Sequence, residues 1–210
     1  MGREKGKGMT AKREMWKPGN MLYPTPAVMV SCSDGEGKPN IITVAWAGTI
    51  CSDPPMLSIS VRKERYSYGL IEASREFVVN LVNRSLVFAA DYCGVKSGRD
   101  VDKFHEMGLT PVALPHVNTP GIGESPVCLE CKVTQQIPLG SHDLFLAEIA
   151  GVSVDERYLD QKGKFCLNAS GLVAYSHGAY YALGERLGSF GYSVRKKPLK
   201  RTREQNQQRR

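Results

Sequence analysis

Six stretches of this 210-residue chain are rich in Val, Ile, Thr and aromatic residues and bounded by Gly, Pro, Asn or Asp: TPAVMVSC, NIITVAWAGTI, MLSISVR, FVVNLV, VCLECKVTQQI and DLFLAEIAGVSVD. That composition and punctuation predict strands. The sequence DGEGKP, Asp34 to Pro39, predicts a hairpin joining the first two. RYSYGLIEAS and RSLVFAADYCG carry helical spacing, and GRDVDKFHEMG predicts a third helix with Gly108 placed to end it. PVALPHVNTPGIGESP is a Pro/Gly-rich loop ahead of the fifth strand. Regularly spaced strands with a few short helices favour an antiparallel barrel over a parallel α/β sheet.

The second of these runs, continued as NIITVAWAGTICSDPP, reads as one strand without a settled polar face. Ala45, Ala47 and Gly48 offer almost no side-chain bulk, so backbone N–H and C=O groups stay available to a flat ligand presented edge-on. Thr43, Thr49 and Ser52 add hydroxyls, and Pro54 and Pro55 interrupt the ladder at the end of the run. Downstream, SVRKERYSYG sets Arg62, Lys63 and Arg65 beside the hydroxyls of Ser60, Ser67 and Tyr68 at the start of a helix. Orphan N–H groups at a helix start favour negative charge, so this segment outlines a phosphate site. The competing reading is a solvated strand-to-helix turn beside small residues that merely pack.

The formal net charge of +7 would point to a nucleic-acid or membrane partner if it were spread over the domain. It is not. Residues 195–210 carry +7 and residues 1–17 carry +4, which leaves the intervening chain at −4. Both ends lack apolar periodicity, so residues 1–14 and 195–210 read as basic, disordered extensions around one domain at 15–194. No nucleic-acid motif accompanies the basic ends, which reads against a nucleic-acid partner. No signal-peptide pattern or membrane-length apolar run occurs, which predicts a cytoplasmic protein with its six cysteines as free thiols.

Neither a Walker A loop, a strand-linked G-x-G-x-x-G, a G-x-S-x-G elbow nor an H-E-x-x-H pair is present. The pair in CLEC, Cys128 and Cys131, has zinc-like spacing but falls inside a strand pattern, where i and i+3 face opposite sides. A structural role is expected there, and no metal site is expected anywhere.

The blocks GNMLYPTPAVMVSC, GKPNIITVAWAGTICSDPPMLSISVRKERYSYGLI, EFVVNLV, DKFHEMGL, ESPVCLECKV, GSHDLFLAEI and YYALGERLGSFGYS, in this order from Met15 to Ser193, resemble the flavin reductase-like family of FMN-binding split β-barrels, and within it the flavoredoxin group. The resemblance implies an antiparallel Greek-key split barrel and a homodimer with non-covalent FMN near the subunit interface. It puts the isoalloxazine against Ala45, Trp46, Ala47, Gly48, Thr49 and Ile50 with Thr43 beside it, and the phosphate near Ser60, Arg62, Ser67 and Tyr68. It further implies that Asn80 and Leu81 address the ribityl chain or ring edge, that Lys103 and His142 approach the flavin, and that Cys51 lies by the ring. Cys51 and His142 are the residues considered for a catalytic part. Two redox readings stay open: a reductase using NAD(P)H, and a carrier fed by a redox protein such as a ferredoxin. A storage barrel that binds FMN without turnover and a nucleic-acid module built on the basic ends are the non-enzyme readings.

Overall fold

The computed structural model describes residues 11–36 and 38–195. The basic extension predicted at 1–14 is thus seen only from residue 11, and all of the predicted tail after residue 195 lies outside the described residues.

Among the described residues twelve strands form, in chain order: β1 Thr25–Pro26, β2 Val28–Cys32, β3 Asn40–Val44, β4 Ala47–Ser52, β5 Pro55–Val61, β6 Glu76–Leu81, β7 Pro111–Val112, β8 Gly121–Ile122, β9 Val127–Pro138, β10 Asp143–Val154, β11 Val173–Ser176 and β12 Ala179–Ala182. Three α-helices accompany them: α1 Tyr66–Ser74, α2 Val87–Val95 and α3 Lys103–Glu106. The predicted hairpin joins β2 to β3, with Val28 opposite Val44 and Cys32 opposite Asn40. The third predicted helix is a single turn, closed by Asp102 accepting from the His105 N–H and followed by Gly108 at φ 60°.

One expectation is corrected. NIITVAWAGTI is two strands rather than one, broken at Ala45 and Trp46. The main sheet runs β3-β2-β6-β9-β10-β5-β4, so β3 and β4 are its opposite edges although only two residues separate them in sequence. A sheet whose edges are tied that closely must curl until they meet. The Ser60 N–H donates to the Trp46 carbonyl at 2.9 Å, continuing the β4–β5 ladder up to the point where the chain leaves β3. The result is a split β-barrel, and the unsettled polarity of the run reflects a chain passing from one barrel edge to the other.

The barrel interior is apolar. Val28, Val30, Ile42, Val44, Ile59, Val61, Phe77, Val79, Phe145 and Ala147 alternate inward from five strands, and Leu70 and Ile71 of α1 plug one end. A second cluster covers the outer face of β2 and β3, where Leu86, Ala89, Ala90 and Cys93 of the α2 region and Phe104 of α3 meet Met29 and Ile41. Burying each large aliphatic or aromatic side chain is worth about 1.5–3 kcal/mol, which makes these two layers the main source of stability. Cys131 belongs to the interior cluster and Cys128 to a separate one with Val78 and Val117, so the two thiols of CLEC face opposite sides of β9.

A further hairpin, β11–β12, turns through His177 at φ 50° and Gly178 at φ 90°. Two successive positive-φ residues make the tight turn that suits strand twist. The hairpin pairs with β1 and forms a small sheet of three strands beside the barrel seam.

Candidate functional site

A cleft of ≈ 370 Å³ opens at the seam. Ile42, Thr43, Val44, Ala45 and Trp46 supply its floor as the chain leaves β3, and Ser60, Val61, Arg62 and Arg65 supply one end from β5 and the turn into α1. Asp91, Gly94 and Val95 of α2, and His142 from the β9–β10 turn, complete the rim. Tyr23, Tyr175 and Tyr180 form an aromatic wall: Tyr23 stands 6.1 Å from Trp46 and 6.2 Å from Tyr175 between ring centroids, and Tyr175 stands 5.5 Å edge-on to Tyr180. Tyr180 donates to Asp91 Oδ1 at 3.4 Å, and burial with that carboxylate nearby pushes its phenol up to about 12. Thr43 is half-buried and donates its hydroxyl to the Ala90 carbonyl, tying α2 to β3. At Gly94 a Cβ would sit 3.3 Å from Thr43 Cβ, so glycine keeps that contact close.

A second, basic pocket of ≈ 220 Å³ adjoins the cleft, and Ile42 and Arg65 line both. Arg65, Lys96, Arg99 and Lys103 bring four cations to it against the single carboxylate of Glu64. The start of α1 also opens here. Its N-cap residue Arg65 makes no side-chain cap bond and no acidic residue occupies the first turn, so the helix presents uncompensated N–H groups. Ser67 is buried and accepts from Asn40 Nδ2 at 2.8 Å. Gly98 lies so close to that Asn40 side chain that a Cβ would come within 2.2 Å of its Oδ1. Arg99 lies over the Tyr66 ring, 5.6 Å from its centroid.

Lys103 is the most unusual group in either cavity. It is 3% exposed, donates to the Ile41 carbonyl at 2.5 Å and the Cys93 carbonyl at 2.8 Å, and pairs with no carboxylate among the described residues. Burial lowers its affinity for the proton. The neighbouring thiols supply no countercharge, because burial pushes Cys32 up to about 12 and Cys93 up to about 11. An ammonium carries three donors and two are used, so one N–H and the whole charge await a partner.

The residues expected from sequence are distributed as follows. Thr43, Ala45, Trp46, Ser60, Arg62 and His142 meet in the cleft, whereas Ser67 and Lys103 meet in the basic pocket. Arg62 is exposed and already 3.0 Å from Glu64 Oε1. Ala47 lies on the far side of Trp46, in a groove, while Gly48, Thr49 and Ile50 are exposed along the β4 edge. Cys51 is half-buried on β4, with its thiol 3.4 Å from the Asp53 carbonyl. Tyr68 donates to Asp143 Oδ2 at 2.8 Å and accepts from Gln136 Nε2 at 2.7 Å. Asn80 is fully buried in β6 and Leu81 packs against the barrel interior; neither lines the cleft or the basic pocket. Tyr23, Asp91, Tyr175 and Tyr180 were not singled out from sequence. The alternation in VAYSHGAYYA, with His-Gly at its centre, is the signal that marks this hairpin.

A family model described as a flavin reductase-like domain matches residues 20–184. The chain belongs to the flavin reductase-like family. Among solved structures, the flavoredoxin of Desulfovibrio vulgaris (Miyazaki F) is similar over 88% of this chain and 100% of that one, at 36% identity and a TM-score of 0.81. An FMN-binding protein from Thermus thermophilus with bound 1-cyclohex-2-enone is similar over 86% of this chain and 99% of that one, at 25% identity and a TM-score of 0.70. A protein of Archaeoglobus fulgidus is 31% identical over 153 residues, 71% of this chain and 85% of that protein. Family and fold together support a flavoprotein with oxidoreductase activity. No helix among the described residues is long and apolar enough to cross a membrane.

Proposed function

We propose that this flavin reductase-like protein is an FMN-dependent oxidoreductase of the cytoplasm, working as a homodimer. The observation that carries the reading is Lys103: a buried cation without a countercharge among the described residues, in a basic pocket that opens onto an apolar, aromatic-walled cleft. A mononucleotide with a flat ring at one end and a phosphate at the other supplies what each cavity lacks. The residues present therefore fit FMN.

In this reading the ring lies in the cleft against Ala45 and Trp46, and the phosphate is held by Arg65, Lys103, Ser67 and the first N–H groups of α1. Lys103, which the resemblance expects to approach the flavin, serves the phosphate end in this reading. Arg62 and His142 stand at the open rim, where His142 Nδ1 lies 2.9 Å from Ser141 Oγ. Bound FMN would supply hydride and single-electron chemistry, and the chain's part is to hold it, exclude water with Tyr23, Tyr175 and Tyr180, and set the surrounding charge. The absence of a dinucleotide fingerprint suits a nicotinamide that would only stack on the exposed ring face.

The 36% identity to a flavoredoxin favours a second reading, a carrier that takes electrons from another redox protein and uses no nicotinamide. Anaerobic visible spectra of the purified protein, before and after NADH and then NADPH, separate the two. Flavin bands that bleach with a nicotinamide support the reductase, and bands that persist until dithionite is added support the carrier. A colourless protein that fails to take up added FMN refutes both.

A further inference from the structure

Residues 183–189 leave β12 without regular secondary structure, a turn at Phe190–Gly191 and the single 3-10 turn Tyr192–Val194 follow, and the whole segment is bare on its own molecule. Leu187 is 87% exposed and Phe190 106%, and Leu183, Tyr192 and Val194 are also exposed. Among the described residues, its hydrogen bonds close within the segment: Arg186 Nε to the Gly188 carbonyl, Tyr192 N–H to the Ser189 carbonyl, Val194 N–H to the Gly191 carbonyl. Such a set of apolar side chains, with no surface beneath it, has no reason to stay exposed in water.

The same chain carries an uncovered seat. A groove of ≈ 700 Å³ is lined by Met21, Leu22, Ala45, Trp46 and Ala47, and Met21 and Leu22 are themselves exposed. Beside it runs β4, which among the described residues pairs only with β5 and leaves its other edge at Gly48, Thr49 and Ile50 open. Open strand edges accept extended segments, and apolar grooves accept alternate side chains from them. The segment does not fill this groove in its own molecule. The seven residues 183–189, ahead of the closing turn, span up to about 23 Å at about 3.3 Å each, enough to cross to a neighbour.

We infer that residues 183–194 form an arm that docks in this groove on a second copy of the chain, with Leu187 and Phe190 as its anchors. The inference rests on the homodimer reading above and adds how the dimer is made. Because Ala45 and Trp46 line both the groove and the cleft, the partner's arm closes the back of the flavin-binding floor. Each site is then incomplete without the other copy.

The test uses the full-length protein and two variants, an arm variant Leu187→Asp/Phe190→Asp and a groove variant Met21→Asp/Leu22→Asp, by sedimentation velocity with far-ultraviolet circular dichroism as the fold control. All four positions are exposed, so the substitutions leave the barrel intact. The wild type is expected to be dimeric, and each variant to dissociate with a constant raised about 100-fold or more, as for loss of a buried anchor. An equimolar mixture of the two variants is expected to recover dimer, because one arm and one groove remain intact in trans. A mixture that stays monomeric, or variants that remain as dimeric as the wild type, overturns the arm and leaves the homodimer standing. A monomeric wild type overturns both.

Discussion

Asn80 and Lys103 are both almost completely buried polar residues, and the surrounding structure treats them in opposite ways. Asn80 donates to the Met29 carbonyl, the Val78 carbonyl and Ser31 Oγ at 3.0–3.2 Å, and accepts from the Ile122 N–H at 2.9 Å. Its hydrogen-bonding capacity is consumed by β2, β6 and β8. Lys103 uses two of three donors on carbonyls and finds no negative charge among the described residues. A buried polar group that is complete is architecture; a buried charge that is incomplete marks the place of a ligand. The family resemblance drew both residues toward the flavin, and only the satisfied or unsatisfied state of each separates them.

The sharpest way to break the comparison is at Asn80. Asn80→Leu keeps much of the volume but strands the Ile122 N–H and removes both amide N–H donors, so a loss of about 2–4 kcal/mol in stability is expected. Chemical denaturation should show a lower midpoint at unchanged slope, with the flavin content of the folded fraction unaltered. A change in FMN affinity beyond that of stability would return Asn80 to the site. Lys103→Met should do the reverse and weaken FMN by about 1.5–3 kcal/mol, roughly 10- to 150-fold, while riboflavin binding changes little. Equal losses for both ligands in fluorescence titrations would place Lys103 beside the ring rather than the phosphate. Arg65→Ala is expected to cost FMN about 1 kcal/mol, since an exposed guanidinium is screened by water. An unchanged dissociation constant for Arg65→Ala would place the phosphate elsewhere along the rim.

How much of this was legible in the sequence differs from element to element. β9 and β10 are long and β2, β5 and β6 are mostly apolar runs between turn residues, and α1 and α2 lie between strand runs with no β-like alternation, so local pattern was enough. The break at Ala45–Trp46 was not legible, because it is set by the closing of the barrel, and no local rule distinguishes two edge strands from one continuous run. The anion site was legible as Arg62, Arg65, Ser67 and the start of α1, yet its full charge comes from Lys96, Arg99 and Lys103, some thirty residues further on. The tyrosine wall joins β1 and α2 to a hairpin near the end of the domain, a conjunction that only tertiary structure produces.

The smallest effect expected lies at Asp143, where the comparison can be made with a third buried group, this time a charged one that is provided for. Its carboxylate is 1% exposed, accepts from Gln136 Nε2 at 3.0 Å and from Tyr68, and has Lys63 Nζ 3.3 Å from Oδ1. The Gln136 bond, then those from Tyr68 and Lys63, hold its pKa below the usual carboxylate range against the opposing effect of burial. A group whose folded pKa is depressed contributes stability above its unfolded value of about 3.9 and loses it as pH falls through the folded value. Wild-type stability should therefore decline more steeply than that of Asp143→Asn as the pH drops below about 4, with the two curves parallel between pH 5 and 7. The same network fixes the start of β10 and with it the neighbouring His142 at the cleft rim. FMN affinity at neutral pH should stay within about twofold in Asp143→Asn, since Tyr68 and Gln136 can still bond an amide. A larger loss would show that the charge of Asp143, and not merely its hydrogen bonds, holds the rim in place.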